Sequence, residues 1–261
     1  MNAGYCRLTV IPVRAEASHR SEMVSQLLFG ETYHVLDMTS EWVKIAACHD
    51  GYEGWIQRKQ HFAISEEVLD NYLKCEKLRL KTALLPDQTT ILTMGALIPV
   101  HPSQGLCPEA LPEHISAENW LPEADLTGLP REDSMGLIGD AALSMEGAPY
   151  LWGGRTPLGI DCSGFTQLLY SLIGVQLPRD ASQQVQVGEP VDFIHEAQLG
   201  DLAFFHNEEG RIVHVGMMLN DHEIIHASGY VRVDRVDENG IFNADLQRYT
   251  HSLRVVKRIV C

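Results

Sequence analysis

The chain has no run of lysine or arginine, no long apolar stretch and no paired cysteines, and each absence removes a class of function. Its 261 residues carry 20 Lys and Arg against 35 Asp and Glu, a formal net charge of −15. An acidic chain without a basic cluster has no electrostatic footprint for nucleic acid or an anionic membrane, and it suits small soluble ligands better than anionic polymers. Spanning a bilayer takes about 18 apolar residues in a row, and no such run exists, so no membrane span is expected. The opening Met1-Asn2-Ala3-Gly4-Tyr5-Cys6-Arg7 has no basic region followed by an apolar stretch, which reads as no secretory signal. Cys6, Cys48, Cys75, Cys107, Cys162 and Cys261 lie far apart, an argument against a disulfide framework and for a reducing compartment. Together these lead to the expectation of a cytoplasmic protein rather than an exported one. Twelve histidines are present, but neither His-Glu-x-x-His nor Cys-x-x-Cys, so no metal centre is expected. Gly153, Gly154 and Gly159 sit in no strand-to-helix phosphate loop, so no cofactor is expected either.

What is present begins at Asp161-Cys162-Ser163-Gly164-Phe165. Tyr150 to Gly159 reads as an irregular approach loop, while residues 165–173 have the apolar spacing of an amphipathic helix. Cys162 then falls in the first turn, with Asp161 as N-cap. The orphan N–H groups and the helix dipole there favour thiolate, lowering a pKa of about 8.5 in a free cysteine. Two histidines follow on apolar, β-branched runs, His214 in 212–218 and His226 in 223–227, joined by the hairpin signal Asn220-Asp221. Antiparallel pairing brings them together, so that His214 takes the proton of Cys162 and His226 holds the other ring nitrogen. The alternative from spacing alone is a pair of core histidines.

The order DCSGF, HVGM, IHAS, with the approach YLWGG, the segment LPRDASQQ and the strand opening LGDLAFF, resembles the NlpC/P60 cysteine peptidases of bacterial cell-wall metabolism. The resemblance covers residues 130–261. It implies a papain-like α+β domain, with a cysteine-bearing helix on an antiparallel sheet that carries the histidines. It also implies hydrolysis of amide bonds in murein peptides, usually between D-glutamate and a diamino acid.

Residues 5–64 have a different rhythm, short apolar runs at 7–13, 23–28, 32–38, 42–47 and 54–56 separated by polar turns, as in a small β-barrel. SQLLFGE, WVKI and GWI within them resemble a bacterial SH3-like domain. EEVLDNYLKCEKLRL at 66–80 reads as a helical connector, and 91–100 as part of a second, degraded barrel; 102–130 is proline-rich and irregular. The expected domains are therefore 1–64, an SH3-like barrel; 65–129, connector and second barrel; and 130–261, the peptidase.

This arrangement resembles the YkfC-like subgroup of γ-D-glutamyl-L-diamino acid endopeptidases, whose first barrel walls off one end of the substrate groove and contributes a tyrosine, here matched by Tyr52. The resemblance implies a free N-terminal L-Ala on the substrate, its ammonium met by Asp161 or Asp180. Ser163 stands beside the nucleophile. Arg179 either reads a substrate carboxylate or forms a structural salt bridge, and Trp152 packs the approach loop or touches substrate. Ala181 stands where relatives often carry a small hydroxyl. The oxyanion is expected at the backbone N–H of Cys162 and a donor from Tyr150 or Trp152. The other functions considered are an exported peptidoglycan hydrolase and a thiol-dependent amidase or acyltransferase.

Overall fold

The computed structural model describes residues 2–75, 77–81, 91–99, 120–122 and 129–260. It divides into two compact units, Met1–Gly128 with Trp152–Thr156, and Leu129–Leu151 with Pro157–Cys261.

The first unit opens with seven strands, β1 Ala3–Tyr5, β2 Val10–Arg14, β3 Met23–Leu28, β4 Thr32–Met38, β5 Trp42–Ala47, β6 Glu53–Gln57 and β7 Ala63–Ile64. They hydrogen-bond in the order β3-β2-β6-β5-β4-β1-β7. Alternation along them turns one set of side chains inward, and Ile11, Val13, Leu27, Tyr33, Val43, Ile45 and Ile56 form the barrel core. Helix α1, Glu66–Lys74, begins at Ser65, whose hydroxyl accepts from the Val68 N–H, with Glu66 and Glu67 at the positive end of the dipole. Leu69 and Tyr72 bury against Ala3, Tyr5 and Ile64.

The helical reading of 66–80 ran too long. Cys75 is already extended (φ −77°, ψ 149°), and Lys-Leu-Arg-Leu, which alternates with period two, is a strand, β8 Lys77–Leu80. It pairs with β9 Leu97–Pro99 and β10 Trp120–Pro122. Most of the segment expected as a second barrel, and nearly all of the irregular 102–130 stretch, lies outside the described residues.

The second unit starts with α2, Arg131–Ser144, whose first residue donates to the Val260 carbonyl and pairs with Asp201. Two short strands follow, β11 Arg155–Thr156 in the first unit and β12 Gly159–Ile160 in the second, then α3 Cys162–Ser171 and the single-turn α4 Ala181–Gln184. Seven strands complete the unit: β13 Glu189–Val191, β14 Leu202–His206, β15 Ile212–Met218, β16 Glu223–Ser228, β17 Tyr230–Asp237, β18 Gly240–Asn243 and β19 Arg248–Arg258. Their order is β13-β19-β14-β15-β16-β17-β18, and because β18 also pairs with β19 the last six strands close into a barrel. Ala203, Phe205, Met218, Ile224, Val236, Ile241 and Val256 draw on every one of those six strands and fill its interior.

Helix α3 is not amphipathic in its setting. All ten residues are buried, so its polar side chains must find partners inside. Thr166 Oγ1 donates to Gln184 Oε1 (2.7 Å), Gln167 Nε2 to the Leu177 carbonyl (3.0 Å) and Ser171 Oγ to the Leu168 carbonyl (2.6 Å). It is a central helix, stitched in place by hydroxyls and amides that a hydropathy pattern reads as a solvent face.

Candidate functional site

Asp161 caps α3 through its carboxylate, which accepts from the Gly164 N–H at 2.7 Å. That leaves Cys162 as the first helical residue, where the backbone N–H has no acceptor within the helix. Its side chain is buried, 8% exposed. Burial, with the Asp161 charge adding to it, pushes the thiol up to about 11, against backbone hydrogen bonds from Val215 and Ser163 and the charge of Arg179 that favour thiolate. The expected low-pKa thiolate is therefore not the resting state, because desolvation outweighs the helix terminus.

Arg179 is 2% exposed and its fork is committed. Nη1 lies 3.0 Å from Asp161 Oδ1, Nη2 lies 2.6 Å from Oδ2, and Nη1 also donates to Ser163 Oγ at 2.9 Å. The three residues form one buried polar knot beside the thiol, the salt-bridge alternative of the sequence reading. Asp180 is the N-cap residue of the short α4.

The hairpin of β15 and β16 is set by Asn220, whose Oδ1 accepts from the N–H groups of His222 and Glu223. Its register puts Met217 opposite Ile225 and Met218 opposite Ile224. Gly216 therefore faces His226, and a Cβ there would stand 2.7 Å from His226 Cβ. The missing side chain is what admits the imidazole. His214 Nε2 and His226 Nδ1 are 2.8 Å apart, so the structure brings these two predicted residues into direct contact. His214 is held well below the ordinary imidazole pKa, first by burial and then by the charges of His226 and His251.

Three neighbours escaped the sequence reading. Asp234 Oδ2 is 3.1 Å from His226 Nε2. Arg232 grips Asp234 from the other side. His251 stacks on His214, ring centroids 4.2 Å apart at 28°, and its own pKa is lowered to about 4 by burial and the His226 charge, against Asp234. The signal for Asp234 was the alternation of Tyr230, Arg232 and Asp234, which puts all three on one strand face. A cleft of about 330 Å3 opens here, lined by Tyr150, Val213, His214, His251 and the 227–229 segment. The backbone N–H of Tyr150 donates to the Gly229 carbonyl (3.0 Å), so it is spent as an oxyanion donor.

In the first unit, Tyr52 is half-buried in the β5–β6 turn, where its N–H donates to Asp50 Oδ1 at 2.9 Å. Trp152 is 60% exposed and its indole N–H donates to Glu22 at 2.5 Å, so the ring does not pack as an approach-loop anchor. Arg155 is the anchor instead. It is buried, bidentate to Glu31 at 2.9 and 3.0 Å, and donates to the Gln26 carbonyl at 2.6 Å. Burial pushes the Glu31 carboxyl up, but Arg155 and His49 outweigh it and hold the group below the usual carboxylate range. Among the described residues no group of three His, Cys, Asp or Glu is arranged to hold a metal ion, and no helix is long and apolar enough to cross a membrane.

A buried thiol opening a central helix, packed on a closed antiparallel barrel that supplies a pair of linked imidazoles, defines a thiol hydrolase of the papain-like α+β class. Residues 147–251 match the family model described as NlpC/P60 family, and residues 13–60 match one described as Bacterial dipeptidyl-peptidase Sh3 domain. The chain carries an NlpC/P60 cysteine peptidase domain with a bacterial SH3 domain ahead of it. It is 28% identical over 236 residues to a Bacillus cereus protein named gamma-D-glutamyl-L-lysine dipeptidyl-peptidase, covering 80% of this chain and 68% of that one. It is also 28% identical over 270 residues to dipeptidyl-peptidase 6 of Lysinibacillus sphaericus, covering 89% and 91%. An NlpC/P60 family protein of Bacillus cereus with a solved crystal structure shares the fold, TM-score 0.77 at 19% identity, over 98% of this chain and 99% of that chain.

Proposed function

We propose that the chain is a murein-peptide endopeptidase that cleaves the bond between γ-D-glutamate and the following diamino acid, acting on released peptides with a free N-terminal L-Ala. The observation that carries the reading is the contact of His214 Nε2 with His226 Nδ1, because it leaves His214 Nδ1 to serve the thiol. The names of the relatives, dipeptidyl-peptidases acting at γ-D-glutamyl-L-lysine, support the bond and the release of an N-terminal dipeptide. The net charge of −15 supports a small peptide over an anionic wall polymer. Cys6, Cys48, Cys75 and Cys162 are free, in keeping with a reducing cytoplasm and peptide recycling.

In the proposed reaction the Cys162 sulfur attacks the γ-carbonyl carbon as its proton passes to His214 Nδ1. A thiol pushed up to about 11 and an imidazole held well below its ordinary pKa call for that transfer to accompany attack. The oxyanion takes the N–H of Cys162 at the helix terminus. On collapse His214 gives the proton to the leaving amine. Water, deprotonated by the same nitrogen, then hydrolyses the thioester and restores the thiol.

The test is mass-spectrometric cleavage of L-Ala-γ-D-Glu-meso-diaminopimelate and L-Ala-γ-D-Glu-L-Lys, each beside its N-acetylated form, with wild type and Cys162→Ala. Release of L-Ala-D-Glu from the free-amine peptides only, lost in the variant, is expected. Equal cleavage of the acetylated peptides rejects the requirement for a free amine, and no cleavage of any peptide rejects the substrate class.

A further inference from the structure

The line of hydrogen bonds does not end at His226. Beyond it stand Asp234, 3.1 Å from His226 Nε2, and Arg232, whose Nε lies 2.7 Å from Asp234 Oδ2 and whose Nη2 donates to Oδ1 at 2.8 Å. The same Nη2 reaches Asp245 Oδ2 at 3.1 Å, and Nη1 reaches the Tyr230 hydroxyl at 3.3 Å. Register explains the assembly. His226 pairs with Arg232 and Ile224 with Asp234, so with a period of two all four side chains share one face of the β16–β17 ladder. Ile224 and Val236 on that face belong to the barrel core. The polar row is thus laid over an apolar floor, and Asp234, 7% exposed, is a buried carboxylate.

We propose that Asp234, fixed and neutralised by Arg232, is a positioning residue that sets the tautomer of both histidines and thereby makes His214 a base. This rests on the reading of Cys162 and His214 as nucleophile and base. An ionised carboxylate offers only lone pairs, so the nitrogen facing it, His226 Nε2, carries the hydrogen. A neutral His226 then has a bare Nδ1. The partner of that nitrogen, His214 Nε2, must donate, which leaves His214 Nδ1 with the free lone pair that accepts the thiol proton. The order of donors runs one way from His214 to Asp234, and reversing the last bond reverses the first. Arg232 completes the logic. A lone buried carboxylate would hold His226 as an imidazolium, which donates from both nitrogens and would force His214 Nε2 to accept. With the guanidinium bound to both of its oxygens, Asp234 can orient His226 without protonating it.

The tautomers are read directly by long-range nitrogen–proton NMR of the full chain labelled with 15N histidine, and kinetics of peptide cleavage stand beside them. In wild type, protons on Nε2 of both His214 and His226 are expected; a proton on Nδ1 of either overturns the proposal, whatever the substrate proves to be. In Asp234→Asn the amide oxygen turns to Arg232 and its NH2 to His226, so both rings move their proton to Nδ1. There kcat is expected to fall about 10²- to 10⁴-fold, the scale for an orienting carboxylate replaced by its amide, with KM within about threefold. An Asp234→Asn protein that keeps the wild-type tautomers, or that keeps kcat within threefold, refutes the proposal. Should that variant not fold, the wild-type spectrum alone decides. Absence of any cleavage by wild type with the expected tautomers present sinks the substrate reading and not this one.

Discussion

Replacing Arg179 by methionine tests whether the knot beside the thiol is structural. The guanidinium lies 3.0 and 2.6 Å from Asp161 and 2.9 Å from Ser163, at a site 2% exposed. Methionine keeps much of the volume and removes the cation, so the Asp161 carboxylate loses the charge that balances it in a buried site. Breaking one side of a buried pair costs about 3–5 kcal/mol. Part of that is recovered if Asp161 takes up a proton, but a neutral acid is a poorer cap for the Gly164 N–H, and caps are worth about 1 kcal/mol. The thiol responds as well: Arg179 is among the groups that favour thiolate, so its loss raises a pKa already at about 11 and slows alkylation. The assay is urea unfolding at pH 7 of wild type, Arg179→Met, Asp161→Asn and the double variant, with iodoacetamide rates at Cys162. Each single change is expected to cost about 3 kcal/mol or more, and the double to cost less than their sum by about 1–3 kcal/mol, since it leaves no uncompensated charge. If Arg179→Met costs under about 1 kcal/mol and raises only KM, the guanidinium reads a substrate carboxylate and the structural argument is wrong.

Two further outcomes follow from the barrel face. In Gly216→Ala the new Cβ meets His226 Cβ and Ile224 Cδ1, both at 2.7 Å, so the imidazole must shift; kcat should drop about 100-fold for a modest stability loss of about 1–3 kcal/mol, and near-normal turnover would show that His226 has no positional role. The stability of the whole chain should fall as pH drops below 6.5. Burial depresses His214 and His251, so below the ordinary imidazole value the unfolded chain binds protons that the folded chain refuses. Their contribution is complete above pH 6.5, and the part due to His251 is exhausted near pH 4. Urea midpoints at pH 7, 6 and 5 for wild type and His251→Phe check this, and an equally steep fall in the variant would exclude His251 as a source.

The site was legible wherever its chemistry is local in sequence. Asp161-Cys162 announces a capped helix start, and Asn220-Asp221 between two β-branched runs fixes a hairpin and with it the 2.8 Å contact of His214 with His226. What stayed hidden depends on burial or on distant partners. No local pattern shows that α3 is enclosed on every side, yet that enclosure is why the Cys162 thiol sits high and not low. His251 reaches His214 only because β19 closes the barrel. Arg155, within a loop that resembled part of the peptidase domain, is matched to Glu31 across 124 residues, a pairing invisible without a fold. Lys77–Leu80 was misread because four residues extend a helical period as readily as they alternate.

The two buried aspartates of the site carry related electrostatic problems and the same solution. Asp161 touches the helix that presents the thiol, and its charge raises the thiol's pKa; Asp234 touches His226, and its charge would draw a proton onto that ring. Either carboxylate alone would work against a reaction that moves one proton between sulfur and imidazole. Each is needed, one to cap α3 and the other to orient His226, and each is bound through both oxygens by an arginine, Arg179 or Arg232. Lysine could balance the charge but not grip both oxygens of one carboxylate, and it could lose its proton on burial. The arginines therefore let the aspartates act as geometry while offsetting part of their field. On that reasoning Arg232→Lys should damage turnover more than it damages folding, and Arg179→Lys should do the reverse. Arg232 guards the direction of a line of hydrogen bonds, whereas Arg179 holds together a helix terminus, a hydroxyl and a cap.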